Sequence, residues 1–128
     1  MRENTSELFV ITKAKELLTY VLVVTDKSPK KFRFTLVSRL QNLSLNVMEA
    51  LIRANDTYIG NNTDAHGLEV RQELQQRAIT DLKILGYVAM IAMEQKCILP
   101  KQYERIAKLS SETIALTIRW KQGNKRGH

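Results

Sequence analysis

A chain of 128 residues, 44% hydrophobic and 26% charged, is long enough for one sizeable core and fits a single domain over residues 1–128. Its one cysteine, Cys97, excludes an internal disulfide and suits a reducing, cytoplasmic setting. Twenty Lys and Arg against thirteen Asp and Glu give a net charge of +7, which makes nucleic acid or another polyanion a candidate partner. Only five Gly and two Pro interrupt the chain, so a few long helices are expected. The apolar run Leu17–Val24 contains Thr19 and Tyr20 and falls short of the roughly 20 residues that span a bilayer. No membrane segment or signal peptide is expected.

The spacing predicts a first helix over about 4–25. Asn4 and Glu7 resemble a capping box, and Val10, Ala14, Leu17, Val21 and Val24 recur at helical intervals. Leu17–Thr25 is rich enough in β-branched residues to be a strand, but no hairpin partner lies nearby. A second helix is expected over about 29–57, with Ser28 as its cap and Pro29 in its first turn. Val37, Leu40, Ser44, Val47, Leu51 and Ala54 form its seam, and Leu36, Leu43, Met48 and Ile52 broaden it.

Gly60–Gly67 reads as the one long polar loop. A third helix over about 68–96 carries Leu74, Ala78, Leu82, Leu85, Val88 or Ala89, and Ala92. Its run Tyr87–Met93 is almost wholly apolar, so that half is expected to be covered on all sides, in the bundle or between subunits. Pro100 opens a fourth helix over about 100–121, with Ile106, Leu109, Thr113, Leu116 and Trp120 inward and Gly123 as its stop. Short first and third connections make this an all-α, up-down-up-down four-helix bundle with a basic tail at 122–128.

Lys30, Lys31 and Arg33 stand in the first turn of the second helix, where the helix dipole favours acids. They either face an anion or form a solvated basic turn. The topology gathers Lys27, Lys30, Lys31 and Arg33 with Lys96, Lys101 and Arg105 at one end of the bundle. Arg119, Lys121, Lys125 and Arg126 fall at the other. A cationic end of this kind suits a phosphate backbone. Phe32, Phe34 and Tyr103 are nearby, with a periodicity that suits packing as well as base stacking.

No constellation for catalysis is evident. His66 lies in the loop and His128 ends the chain. Cys97 reads as a packed thiol, and no metal-ligand spacing, phosphate loop or nucleophile elbow occurs. The Glu and Glu-x-x-His pairs of di-iron bundles are missing too. Glu49 falls near Asn46, in the apolar sector of the second helix, as a buried polar contact or a flank position. The expectation is a non-enzyme with no metal and no cofactor.

Pro29-Lys30-Lys31, Arg33-Phe34-Thr35-Leu36, Arg39-Leu40, Glu49 and Ala54-Asn55 resemble the second helix of the accessory variability determinant family. These are small four-helix proteins encoded by diversity-generating retroelements. The resemblance continues at Leu99-Pro100-Lys101-Gln102-Tyr103-Glu104 and Trp120-Lys121, with Ile118-Arg119 where that family has a glycine pair. Asn46-Val47-Met48-Glu49-Ala50 with Arg53 is also similar to the related four-helix proteins encoded in intervening sequences of large-subunit ribosomal RNA genes, Ala50 replacing a glycine.

The first resemblance implies a homopentameric barrel that binds a reverse transcriptase and its template RNA, with the cDNA as a further ligand, and supports mutagenic copying without being the polymerase. It assigns nucleic-acid binding to Lys30, Lys31, Arg33, Arg39 and Arg53. Lys27, Lys101, Arg105, Arg119 and Lys121 join them from the charge map. The alternatives are a structural oligomeric bundle that binds protein or ribosomal RNA, and an antitoxin-like or ribosome-associated bundle.

Overall fold

The computed structural model describes residues 5–57 and 65–124, with the side chains of 5–8 excepted. Four α-helices, α1 (Thr5–Asp26), α2 (Ser38–Asp56), α3 (Ala65–Glu94) and α4 (Pro100–Asn124), form the bundle, and the described residues contain no strand. α2 and α3 pack together, α3 and α4 pack together, and α1 closes the ring against both α2 and α4. None of these helices is long and apolar enough to cross a membrane.

The expected seams form the core. Val10, Ala14, Leu17, Val21 and Val24 from α1 meet Leu40, Val47, Leu51 and Ala54 from α2. Ala78, Leu82, Leu85, Ala89 and Ala92 complete it from α3, with Ile106, Leu109 and Trp120 from α4. Burying each such leucine or valine is worth about 1.5–3 kcal/mol, which overrides the strand propensity of Leu17–Thr25. Hydroxyls within the seams bond back along their own helices. Ser44 Oγ donates to Leu40 O at 2.9 Å, and Thr113 Oγ1 and Thr117 Oγ1 donate to the carbonyls four residues earlier at 2.7 Å.

The second helix does not begin as expected. Pro29, rather than Ser28, is the cap of a 3₁₀ turn (Lys30–Phe32), and no side chain caps it. A π-helical turn (Arg33–Val37) follows before α2 settles. Counting two regular turns back from Leu40 would put Arg33 on the buried face. The extra residue of the π turn brings Phe32 to that position instead, where it packs on the core, and leaves Arg33 and Phe34 exposed. Burying an unpaired guanidinium would cost far more than one irregular turn.

Other boundaries move as well. α3 starts at Ala65, so His66 and Gly67 are helical, while Gly60–Asp64 lie outside the described residues. The proposed cap Asn4 lies outside them too. α4 runs through Gly123 because Asn124 Nδ2 donates to the buried Gln75 Oε1 at 2.7 Å, tying its last turn to α3. Met90 and Ile91 are not covered within one chain, and Tyr87 is 71% exposed.

Candidate nucleic-acid interface

Two connections meet at one end of the bundle. The first, Lys27–Pro29, leaves α1 on short backbone bonds, Lys27 N to Val24 O at 3.3 Å and Ser28 N to Thr25 O at 3.1 Å. Gln41 Nε2 donates to Thr25 Oγ1 at 2.9 Å and locks α2 against the end of α1. The second, Gln95–Leu99, ends α3 in a Schellman turn: Cys97 N donates to Ala92 O at 2.7 Å and Lys96 N to Met93 O at 3.0 Å. Lys96 takes the left-handed position there, at φ 67°. Leu99 N then donates to Gln102 Oε1 at 2.8 Å, which caps α4.

Cys97 links the two connections, because its buried thiol faces the Ser28 hydroxyl. Burial pushes that thiol above its ordinary value, while Ser28 acts weakly the other way. The Ser28 hydroxyl is enclosed but makes no hydrogen bond of ordinary length.

This arrangement brings Lys27, Lys30, Lys31, Arg33, Lys96 and Lys101 to one end, all exposed and none ion-paired among the described residues. Asp26, Glu94 and Glu104 are the acids beside them. Lys27, Lys30 and Arg33 line a groove of about 410 Å³ together with Asp26, Thr25, Val37 and Gln41. Lys31 Nζ stands 5.1 Å from the Phe32 ring, partly over its face.

The remaining predicted residues are placed differently. Arg105 belongs to this half of the bundle, but it donates to Glu16 Oε2 at 3.2 Å and lies over Tyr20, so it clamps α4 to α1. Arg39 is exposed on α2 and faces Asp81 of α3 together with Arg77. Arg53 sits toward the opposite end and pairs with Glu49 at 2.8 Å. Glu49 is thus an exposed flank residue, not a buried contact. Lys121 Nζ donates to Gln76 Oε1 at 2.8 Å, and Arg119 is exposed near the end of α4. Lys125 and Arg126 lie outside the described residues, as does His128.

Comparison with protein-family models, with curated proteins and with solved structures finds no match to this chain. The geometry of the site therefore carries the functional argument.

A larger groove, of about 800 Å³, runs between α2 and α3 toward the other end. Glu49, Asp56 and Glu73 line it with Arg53 and Arg77, a mixture that selects neither sign of ligand. Sequence reasoning passed over Arg71. Arg71 is buried, donates to Ala54 O at 3.0 Å and Thr57 O at 3.1 Å, and lies 5.6 Å from the Trp120 ring. It donates to a carbonyl in the last turn of α2 and to that of Thr57 just past it, so its charge serves the fold.

Proposed function

We propose that this chain is a non-catalytic accessory protein of the diversity-generating retroelement type. In this reading its basic end holds nucleic acid, template RNA or cDNA, for a reverse transcriptase that performs the reaction. The observation that carries the reading is the set of six cations at the two adjoining connections, none of them ion-paired among the described residues. Held on a rigid scaffold, such cations gain affinity by releasing the counterions of a phosphate backbone, without reading bases.

The resemblance supplies the context, a homo-oligomer acting beside a polymerase. The exposed Leu22, Leu45 and Ile52 between α1 and α2, and Tyr87, Met90 and Ile91 on α3, offer apolar surface for self-association. The same surfaces support the alternative of a purely structural oligomer that binds protein.

Binding of the full chain to a structured RNA, followed while salt is raised, tests the reading. Engagement of all six cations gives a fall of roughly 300- to 2,000-fold between about 50 and 200 mM salt. The double variant Lys30→Glu, Lys31→Glu weakens binding to every sequence alike and lowers the salt slope by roughly 1.5. Affinity that is absent, or indifferent to salt, rejects the polyanion reading. Retained partner binding after the reversals favours the structural oligomer.

A further inference from the structure

Three aromatic side chains stand near the basic end, and the fold treats them unequally. Phe32 and Tyr103 are half-buried and pack on the core, which accounts for their periodicity. Phe34 is 86% exposed, the most exposed large apolar side chain among the described residues. It is not among the side chains that form the core cluster or pack on it half-buried. The π turn that carries it also turns Arg33 outward, next to it in the chain. Lys30 and Lys31 stand one helical turn earlier, without acidic partners among the described residues. A bare ring among unpaired cations matches the two parts of an unstacked nucleotide, a base with an open face and a phosphate.

We propose that the basic end takes single-stranded nucleic acid and stacks one base on Phe34, with Lys30, Lys31 and Arg33 on the adjoining phosphates. The proposal rests on the polyanion reading above and narrows its ligand. A duplex keeps its bases stacked on each other and leaves no face for the ring. A single strand offers one at every nucleotide, whatever the sequence. Arg33 adds a planar cation that can share the same base. Recognition through one ring is tolerant of sequence, as a protein acting along a template requires.

The test uses the full chain and three labelled ligands: an oligothymidylate of about 12 nucleotides, an abasic phosphodiester of equal length, and a duplex. Because Phe34 lies outside the core, Phe34→Ala keeps its helical circular dichroism. It binds the oligothymidylate roughly 5- to 100-fold more weakly than the parent does. On the abasic strand it loses little, its salt slope is unchanged, and Phe34→Trp restores binding. Equal affinity of Phe34→Ala and parent for the oligothymidylate overturns stacking, and so does an equal loss on the abasic strand or a parent preference for duplex. Those results leave the salt-dependent polyanion reading standing, whereas failure of the parent to bind any of the three removes both. A shift in sedimentation caused by Phe34→Ala in the absence of ligand overturns the proposal differently, by assigning the ring to a second copy of the chain.

Discussion

The two ends of the bundle use basic residues in opposite ways. Where α2 hands over to α3, Arg71 is buried against two carbonyls and an indole, and Arg53 is held by Glu49. Lys121 is tied to Gln76. Where α1 meets α2 and α3 meets α4, six cations project without an ion pair among the described residues. A charge already satisfied by its own chain cannot be offered to a ligand without breaking that contact. Among the described residues the second end therefore presents the larger set of exposed cations without an ion pair, Arg119 being the exposed one at the first.

Substitution should separate the ends most sharply at Arg71. Arg71→Ala strips donors from Ala54 O and Thr57 O and removes packing from Trp120, so a loss of about 3 kcal/mol or more in urea unfolding is expected. Lys30→Ala with Lys31→Ala should change stability by less than about 0.5 kcal/mol, since both side chains are exposed and neither is ion-paired among the described residues. If the lysine pair proved as costly as Arg71, the basic end would be structural and the contrast would vanish.

Whatever depends on helical period was legible before the fold was known. The inward sets of α1 and α4 follow from their spacing, because burying one face of an isolated amphipathic helix leaves little choice. The π turn was not legible, since it answers to the register of Leu40 two turns later and Arg33 is an ordinary helix residue taken locally. Gly123 read as a stop, but a single hydrogen-bonded pair, Asn124 with Gln75 of α3, carries the helix past it. The grouping of Lys27, Lys30, Lys31, Arg33 and Lys101 followed from topology alone. Which cations stay unpaired did not, because Glu16 is 89 positions from the Arg105 it neutralises.

Lys96 sharpens the comparison at a smaller scale. A side chain in the left-handed region costs about 1–2 kcal/mol relative to glycine, partly offset by the greater freedom of glycine in the unfolded chain. Lys96→Gly should therefore stabilise the protein by about 0.5–1 kcal/mol, while Lys96→Ala, which keeps the strain, should not. Both should weaken nucleic-acid binding slightly by removing one cation from the end surface. A stabilised Lys96→Gly protein with undiminished affinity would mean that Lys96 lies outside the ligand's path.

The smallest effect is expected at Asp81, between the two ends, where Arg77 and Arg39 both act on one carboxyl. Burial raises its affinity for a proton above the ordinary carboxylate value of 3.8, and the two arginines only partly reverse this. The sign follows directly. A carboxyl that binds its proton more tightly when folded costs stability once ionised, and the cost is relieved as pH falls through the raised folded value. Asp81→Asn should thus unfold at slightly higher urea than the parent near neutral pH, with the advantage shrinking as the solution is acidified toward about pH 4. An advantage that instead grew in acid would mean that the arginines outweigh burial, and that Arg39 is held by α3 rather than left for a ligand. The same substitution also releases Arg39 toward the basic end. A modest gain in nucleic-acid affinity in Asp81→Asn, absent when Arg39→Ala is added, would place Arg39 with the free cations.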